Sequence, residues 1–224
     1  DHLMEELLSD VAPPIDEVFG DLAKELRAGQ ICPVFIGSAV NGNGVGRLMK
    51  ALRHEAPALA ETTERLSVDA GADAVFQVLK TVHTPHGGKL SVGRVLAGKI
   101  TDGATMFAAD GASDRLSGIY RLVGKDQQKK SEAVAGETVA LGKIGPARTG
   151  ATLTTRKGGV PDLALVEAPE PVMGFAIASL DHKDDVKLSA ALTKIAEEDP
   201  SILVRQDQDT AETIVEGQGE MHLR

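Results

Sequence analysis

The chain has no Trp, one Tyr and five Phe in 224 residues, too few ring faces for the stacked aromatic platform that binds single-stranded nucleic acid. A single cysteine, Cys32, excludes an internal disulfide framework and an all-cysteine zinc cage, and fits a reducing compartment. No run of about 18 apolar residues occurs, so no membrane-spanning helix is expected. The residues that follow Asp1 are amphipathic, unlike the basic and then apolar pattern of a secretory leader. These absences point to a soluble, cytoplasmic chain. What is present is ordinary globular composition, 42% hydrophobic and 25% charged, in a length that suits one large domain or two small ones.

The formal net charge of −9 hides a partition. Residues 1–75 carry 6 basic and 13 acidic residues, residues 76–160 carry 13 and 6, and residues 161–224 carry 5 and 14. A unit of net +7 therefore lies between two acidic flanks of −7 and −9. The basic middle has an electrostatic preference for a polyanion at short range.

The apolar spacing divides the chain in the same way. Leu3, Met4, Leu7, Leu8 and Val11 recur at helical intervals up to Pro13-Pro14, and Ile15, Val18, Phe19, Leu22 and Leu26 do so again up to Gly29. Ile31 to Ile36 reads as a short strand and Gly37 to Gly44 as a loop. Val45, Leu48, Met49, Leu52 and Ala56 mark a helix that Pro57 stops. Strand, loop and helix in this order are typical of one edge of an α/β sheet. Residues 58–73 lack periodicity and read as a linker.

An all-β rhythm follows, with strands expected at 74–82, 90–100, 104–109, 115–123, 137–144 and 151–155, separated by Gly-containing turns. Short strands at this spacing suggest a closed barrel, since closure removes exposed edges. After Pro169 and Pro171, Met173, Phe175 and Ile177 alternate as a strand. Leu188, Ala191, Leu192 and Ile195 mark a helix, and 202–206 and 213–216 read as two further strands. This is the β-α-β-β beginning of a split βαβ plan, which is expected to be cut short at Arg224.

Few motifs carry chemistry. Gly42-Asn43-Gly44-Val45-Gly46 has the wrong spacing for a dinucleotide fingerprint. Gly-Lys occurs at 88-89, 98-99, 124-125 and 142-143, never followed by the Ser or Thr that a phosphate-binding loop places on magnesium. His83 and His86 could share a metal, yet no third ligand lies nearby in sequence, so no metal site is expected. Cys32, within an apolar run and without a neighbouring base, reads as a buried, inert thiol. Lys125, Lys129 and Lys130 cluster near a turn, as a solvated surface or as contacts to phosphate. Glu197-Glu198-Asp199 closes a helix with the charge sign that its macrodipole disfavours, which fits an exposed helix end or an external partner. No catalytic residue is identified.

Three stretches taken together resemble a known family. Pro33-Val34-Phe35-Ile36-Gly37-Ser38-Ala39, followed by Asn43 and Gly44-Val45, is similar to the last guanine-recognition motif of translational GTPases. Gly88-Lys89-Leu90, Arg94-Val95, Gly98 and Gly103 are similar to their second domain. Pro169-Glu170-Pro171-Val172, Ala191-Leu192, Ala196 to Pro200, Thr213-Ile214, Gly217, Gly219-Glu220 and His222-Leu223 resemble the third domain of elongation factor G. Val40-Asn41-Gly42 stands where the family has Phe-Lys-Asn, and Ala211-Glu212 precedes Thr213-Ile214 where the family has Gly-Gln. These departures favour a diverged elongation factor G-like paralogue.

The resemblance implies a multi-domain architecture of α/β plus all-β type. Residues 1–63 would be the C-terminal remnant of a GTP-binding domain, a strand-loop-helix with a helical insert and a linker. Residues 64–167 would be a translation-factor-type antiparallel β-barrel, and 168–224 the first part of a ferredoxin-like domain, a βαββ unit. The parent would be a translational GTPase using GTP and magnesium on the ribosome, with its phosphate-binding motifs upstream of Asp1, so that this chain alone is expected to be inactive. Gly37, Ser38 and Ala39 would be the guanine-contacting loop, whose backbone N–H groups face the base. Lys125, Lys129 and Lys130 would face small-subunit RNA as the barrel lies on the ribosome. The resemblance implies a monomer without a membrane. Translocation of tRNA and mRNA is the first reading; ribosome recycling, ribosome protection and a stand-alone RNA- or protein-binding module are alternatives.

Overall fold

The computed structural model describes residues 8, 9, 12–69, 71, 73–84, 88–124, 126–161, 163 and 167–224. The helix expected over Leu3 to Val11 lies mostly outside them. The chain divides into two compact units, Asp1–Thr62 and Thr63–Arg224.

In the first unit, α1 (Ile15–Arg27) begins directly after Pro14. It carries Asp16 and Glu17 in its first turn and Lys24 and Arg27 in its last, the order that complements the helix dipole. Gly29, at φ +72°, takes the left-handed conformation that a side chain would resist. Helix α2 (Val45–Glu55) follows Gly44, also left-handed, and is stopped at Ala56 before Pro57. Neither helix buries a residue, and Phe19, Leu48 and Leu52 remain exposed.

Two expectations here are corrected. Ile31 to Ile36 joins no ladder among the described residues, and its Val34 and Ile36 side chains are 83% and 92% exposed. Strand-type sequence becomes a strand only when a neighbour supplies hydrogen bonds, and the one local pairing is the isolated Ser38–Asn43 bridge. The expected linker contains a short helix, α3 (Leu59–Arg65). The Glu61 carboxylate accepts the Ala58 N–H at 2.9 Å at its start and binds Arg27 Nη1 at 2.8 Å, so α3 is held by polar contacts that apolar spacing does not report.

The second unit begins with ten strands: β1 (Val75–Thr84), β2 (Gly88–Ala97), β3 (Lys99–Thr101), β4 (Thr105–Ala108), β5 (Ser113–Arg115), β6 (Ile119–Val123), β7 (Asp126–Lys130), β8 (Glu132–Val134), β9 (Thr138–Gly142) and β10 (Thr152–Thr154). Eight form one antiparallel sheet in the order β5-β4-β10-β1-β2-β9-β6-β7, and β3 pairs with β8. The sheet wraps an apolar cluster that includes Phe76, Val95, Ile100, Met106, Ile119, Leu141 and Leu153, each fully buried, and a second cluster gathers Val68, Val75, Leu96, Ala97 and Leu163. Burial of a side chain such as Phe76 contributes about 1.5–3 kcal/mol.

Among the described residues no ladder joins the outer strands β5 and β7, so pairing does not complete the expected barrel ring. Chain continuity brings the two flanks together instead. β5 runs through Leu116, Ser117 and Gly118 directly into β6, and Ser117 N–H donates to Gly142 O at 3.1 Å. The Asp102 carboxylate accepts the Gly118 N–H at 2.8 Å and ties this link to the turn after β3.

The rest is a smaller α/β piece. β11 (Met173–Ile177), β12 (Leu203–Gln206) and β13 (Thr213–Gly217) form an antiparallel sheet in the order β11-β13-β12. Helix α4 (Asp185–Glu198) connects β11 to β12, and α5 (Glu220–Leu223) opens after Gly219. The β-α-β-β order expected from the sequence is present.

Candidate functional site

The loop between Ile36 and α2 is closed on itself. Ser38 N–H donates to Asn43 O at 2.9 Å, and the Ser38 hydroxyl accepts the Asn41 N–H at 3.4 Å. Gly37 and Gly44 pack so tightly that a Cβ on Gly37 would stand 2.6 Å from Asn43 O. Glycine at 37 and at 44 is thus required by the loop's own closure. Because the Ser38 N–H is engaged inside the loop, Gly37 and Ala39 hold the N–H groups that could face a base.

The three lysines do not share one situation. Lys125 lies outside the described residues. Lys129 and Lys130 sit on β7, the outermost strand of the sheet, and each faces a carboxylate: Lys129 Nζ is 3.3 Å from Asp102 Oδ2, and Lys130 Nζ pairs with Glu137 Oε1. The Gly118 N–H and, after it, Lys129 hold the Asp102 carboxyl below its ordinary range. The Lys130 hydrogen bond does the same for Glu137. By contrast Lys80, Arg94, Arg121, Lys143, Arg148 and Lys157 are exposed and stand in no ion pair among the described residues. The β1–β2 register pairs Lys80 with Val92 and Gln77 with Arg94, which puts Lys80 and Arg94 on the same outer face. Sequence reasoning passed over these two because they are dispersed. Their signal is a cation at an outward position of an otherwise apolar strand.

A third set of groups gathers at the tip of the β1–β2 hairpin. His83 and Lys89 are ladder partners. His83 Nε2 is 2.7 Å from Glu197 Oε2 and Lys89 Nζ is 3.4 Å from Glu197 Oε1, while the His83 backbone N–H donates to the Glu198 carboxylate. The Thr149 hydroxyl donates to Glu197 O at 3.3 Å, and Thr149 Oγ1 accepts the Thr81 N–H at 3.0 Å. Partial burial pushes the Glu197 carboxyl up, but the His83 hydrogen bond and the Lys89 charge outweigh it and hold the group below its ordinary value. The acidic end of α4, read in the sequence as an exposed helix end or a contact for an external partner, thus meets the hairpin tip of the same chain. His83 is engaged there, and His86 lies outside the described residues. Among the described residues no group of three or more His, Cys, Asp and Glu could hold a metal ion, and no helix is long and apolar enough to cross a membrane.

Beside this contact an open groove of about 1080 Å³ is lined by Arg148 and Thr149 and by Ile177, Leu188, Leu192 and Ile202. Cys32 is exposed, not buried as expected, because the apolar run around it has no sheet to enter.

Residues 73–156 match the family model "Elongation factor G domain 2", and residues 168–224 match "Elongation Factor G, domain III". The chain belongs to the elongation factor G family. An "Elongation factor G-like protein" of Synechocystis sp. is 42% identical over 226 residues, covering all of this chain and 33% of that protein. The "Elongation factor G" of Dehalococcoides mccartyi is 28% identical over 237 residues, covering all of this chain and 34% of its own length. A crystal structure of a Thermus thermophilus protein superimposes with a TM-score of 0.76 at 26% identity, over the whole chain and 33% of the crystallised one. The chain thus spans about a third of the length of the curated relatives it matches. Within the elongation factor G family it is a diverged, G-like member, and the ten-stranded β body and the βαββ piece are its second and third domains.

Proposed function

We propose that this chain is a middle section of a translational GTPase that works on the ribosome in the cytoplasm, where the parent couples GTP hydrolysis to movement of tRNA and mRNA. In this reading residues 1–63 close the GTP-binding domain, 64–167 form domain II and 168–224 open domain III. Gly37 and Ala39 offer backbone N–H groups to guanine, with Ser38 holding the loop shut. Among the described residues no group of three or more His, Cys, Asp and Glu could hold magnesium. The chain alone, without a phosphate-binding loop, is proposed to be a monomer that does not turn over GTP.

The observation that carries this reading is the basic β body between acidic flanks, with Lys80 and Arg94 exposed, in no ion pair among the described residues, and on one face. Such a surface suits RNA phosphates, contacts that position a factor without reading sequence. Lys129 and Lys130 remain in the proposed RNA surface, but each would have to leave a carboxylate to reach phosphate. Co-sedimentation with small ribosomal subunits across a salt series tests this. Affinity should fall steeply with salt, and Lys80→Glu with Arg94→Glu should weaken it more than Lys129→Glu with Lys130→Glu. Binding that ignores both salt and the first pair of substitutions would overturn it. Recycling and protection remain alternative roles of the same parent.

A further inference from the structure

Helix α4 ends on Ile195-Ala196-Glu197-Glu198 and has no basic residue in its last turn, although the partial negative charge there calls for a cation. The partners come from another domain. His83 and Lys89, neighbours across the β1–β2 ladder, reach one Glu197 oxygen each. Their side chains are only 18% and 12% exposed, against 30% for Glu197, so the three polar groups are partly shielded from solvent. Lys89 is itself steadied by Gly145 O, at 3.2 Å.

What surrounds this contact is equally informative. The apolar clusters of the unit draw only on residues 68–163, and the buried Leu192 and Ile202 of domain III belong to neither. Among the described residues, then, no shared apolar core fastens domain III to the β body. The joint is polar, built from the Glu197 and Glu198 carboxylates, the Lys89 ammonium, the His83 imidazole and backbone N–H, and the Thr149 hydroxyl. Polar interfaces of this kind permit domains to move relative to one another. A local choice that disfavours its own helix and is satisfied only across a domain boundary marks a site with a purpose.

We propose that Glu197 with the His83–Lys89 pair forms an ionic latch that holds domain III in one orientation against the β body and releases it when the charges are screened or displaced. This concerns the chain alone and does not depend on the ribosomal reading. The positioning residues are Glu197, His83 and Lys89; Glu198 and Thr149 align the helix end.

The test is a spin-label distance measurement on the whole chain in a Cys32→Ser background, with labels at Gln127→Cys on the β body and Lys194→Cys on α4. The latched chain should give one narrow distance distribution. Glu197→Gln, and separately Lys89→Met, should add a second, broad component. The exchange Lys89→Glu with Glu197→Lys should restore the narrow one, which a purely packing role would not do. Salt provides a check without substitution: between about 0.01 and 1 M the unaltered chain should shift toward the broad component as screening shortens from about 30 Å to 3 Å. If a variant fails to fold by circular dichroism, the salt series decides. A distribution unchanged by Glu197→Gln, an exchange that does not restore it, or indifference to salt would each overturn the latch.

Discussion

The Phe76 ring lies over Gly93 so closely that a Cβ on Gly93 would stand 2.6 Å from Phe76 Cζ and 2.2 Å from Gln77 O. Phe76 is fully buried and central to the apolar cluster, so the ring cannot step aside, and the backbone of β1 is close behind it. Gly93→Ala should therefore destabilise the β body by about 1–3 kcal/mol, the usual result of overpacking a filled core. Thermal unfolding followed by circular dichroism measures this. Phe76→Leu in the same chain should recover part of the loss, and an unshifted melting curve would show that the sheet opens to accept the methyl.

Beside other carboxyls held low such as Asp102, Glu137 and Asp199, acid sensitivity should draw in part on Glu197. Its folded pKa lies below the ordinary 4.5, so the stability it contributes is fully present above that value and is lost as pH falls through the lowered folded value. Glu197→Gln removes the linkage. An acid titration of folding should then show a shallower slope below about pH 4.5 in the variant than in the original chain; parallel curves would place the linkage elsewhere.

The His222 ring should donate through Nε2 and accept through Nδ1. Its Nδ1 accepts the Gln218 N–H at 3.0 Å, which leaves Nε2 to donate to Asp199 Oδ2 at 3.1 Å. Nitrogen NMR of the imidazole at neutral pH reads the tautomer directly, and a proton on Nδ1 would contradict this geometry. Asp199→Asn should loosen α5, since the Asp199 carboxylate, held below its usual range first by Ser201, also anchors His222.

Cys32 should react with a thiol reagent in the folded chain. Exposure removes the barrier that a buried thiol has, and reactivity then follows the thiolate fraction. The rate should change little when denaturant is added. A strong acceleration by denaturant would mean that the thiol is covered in solution.

These cases also show where sequence patterning reaches and where it stops. The elements of 173–217 were legible because alternation at Met173, Phe175 and Ile177 and the helical spacing of Leu188, Leu192 and Ile195 are local signals. β7 was not, since Asp126-Gln127-Gln128-Lys129-Lys130 has no apolar period and exists only through its ladder with β6. The opposite failure occurs at Ile31–Ile36, whose strand-like sequence has no partner to bond. In the candidate site, the small residues of 37–39 and the basic middle could be read directly. The partners of Lys129, Lys130 and Glu197 could not, because His83 and Glu197 are 114 positions apart and only the fold brings them together.

The same β7 has a colloidal consequence. An outermost strand offers an unsatisfied row of backbone donors and acceptors to any extended peptide that drifts past, and such rows seed fibrils when they are flat and greasy. Gln-Gln-Lys-Lys makes docking there electrostatically and hydrophilically unrewarding. Such charged, polar side chains on an outermost strand are the usual means by which sheets discourage edge-to-edge stacking.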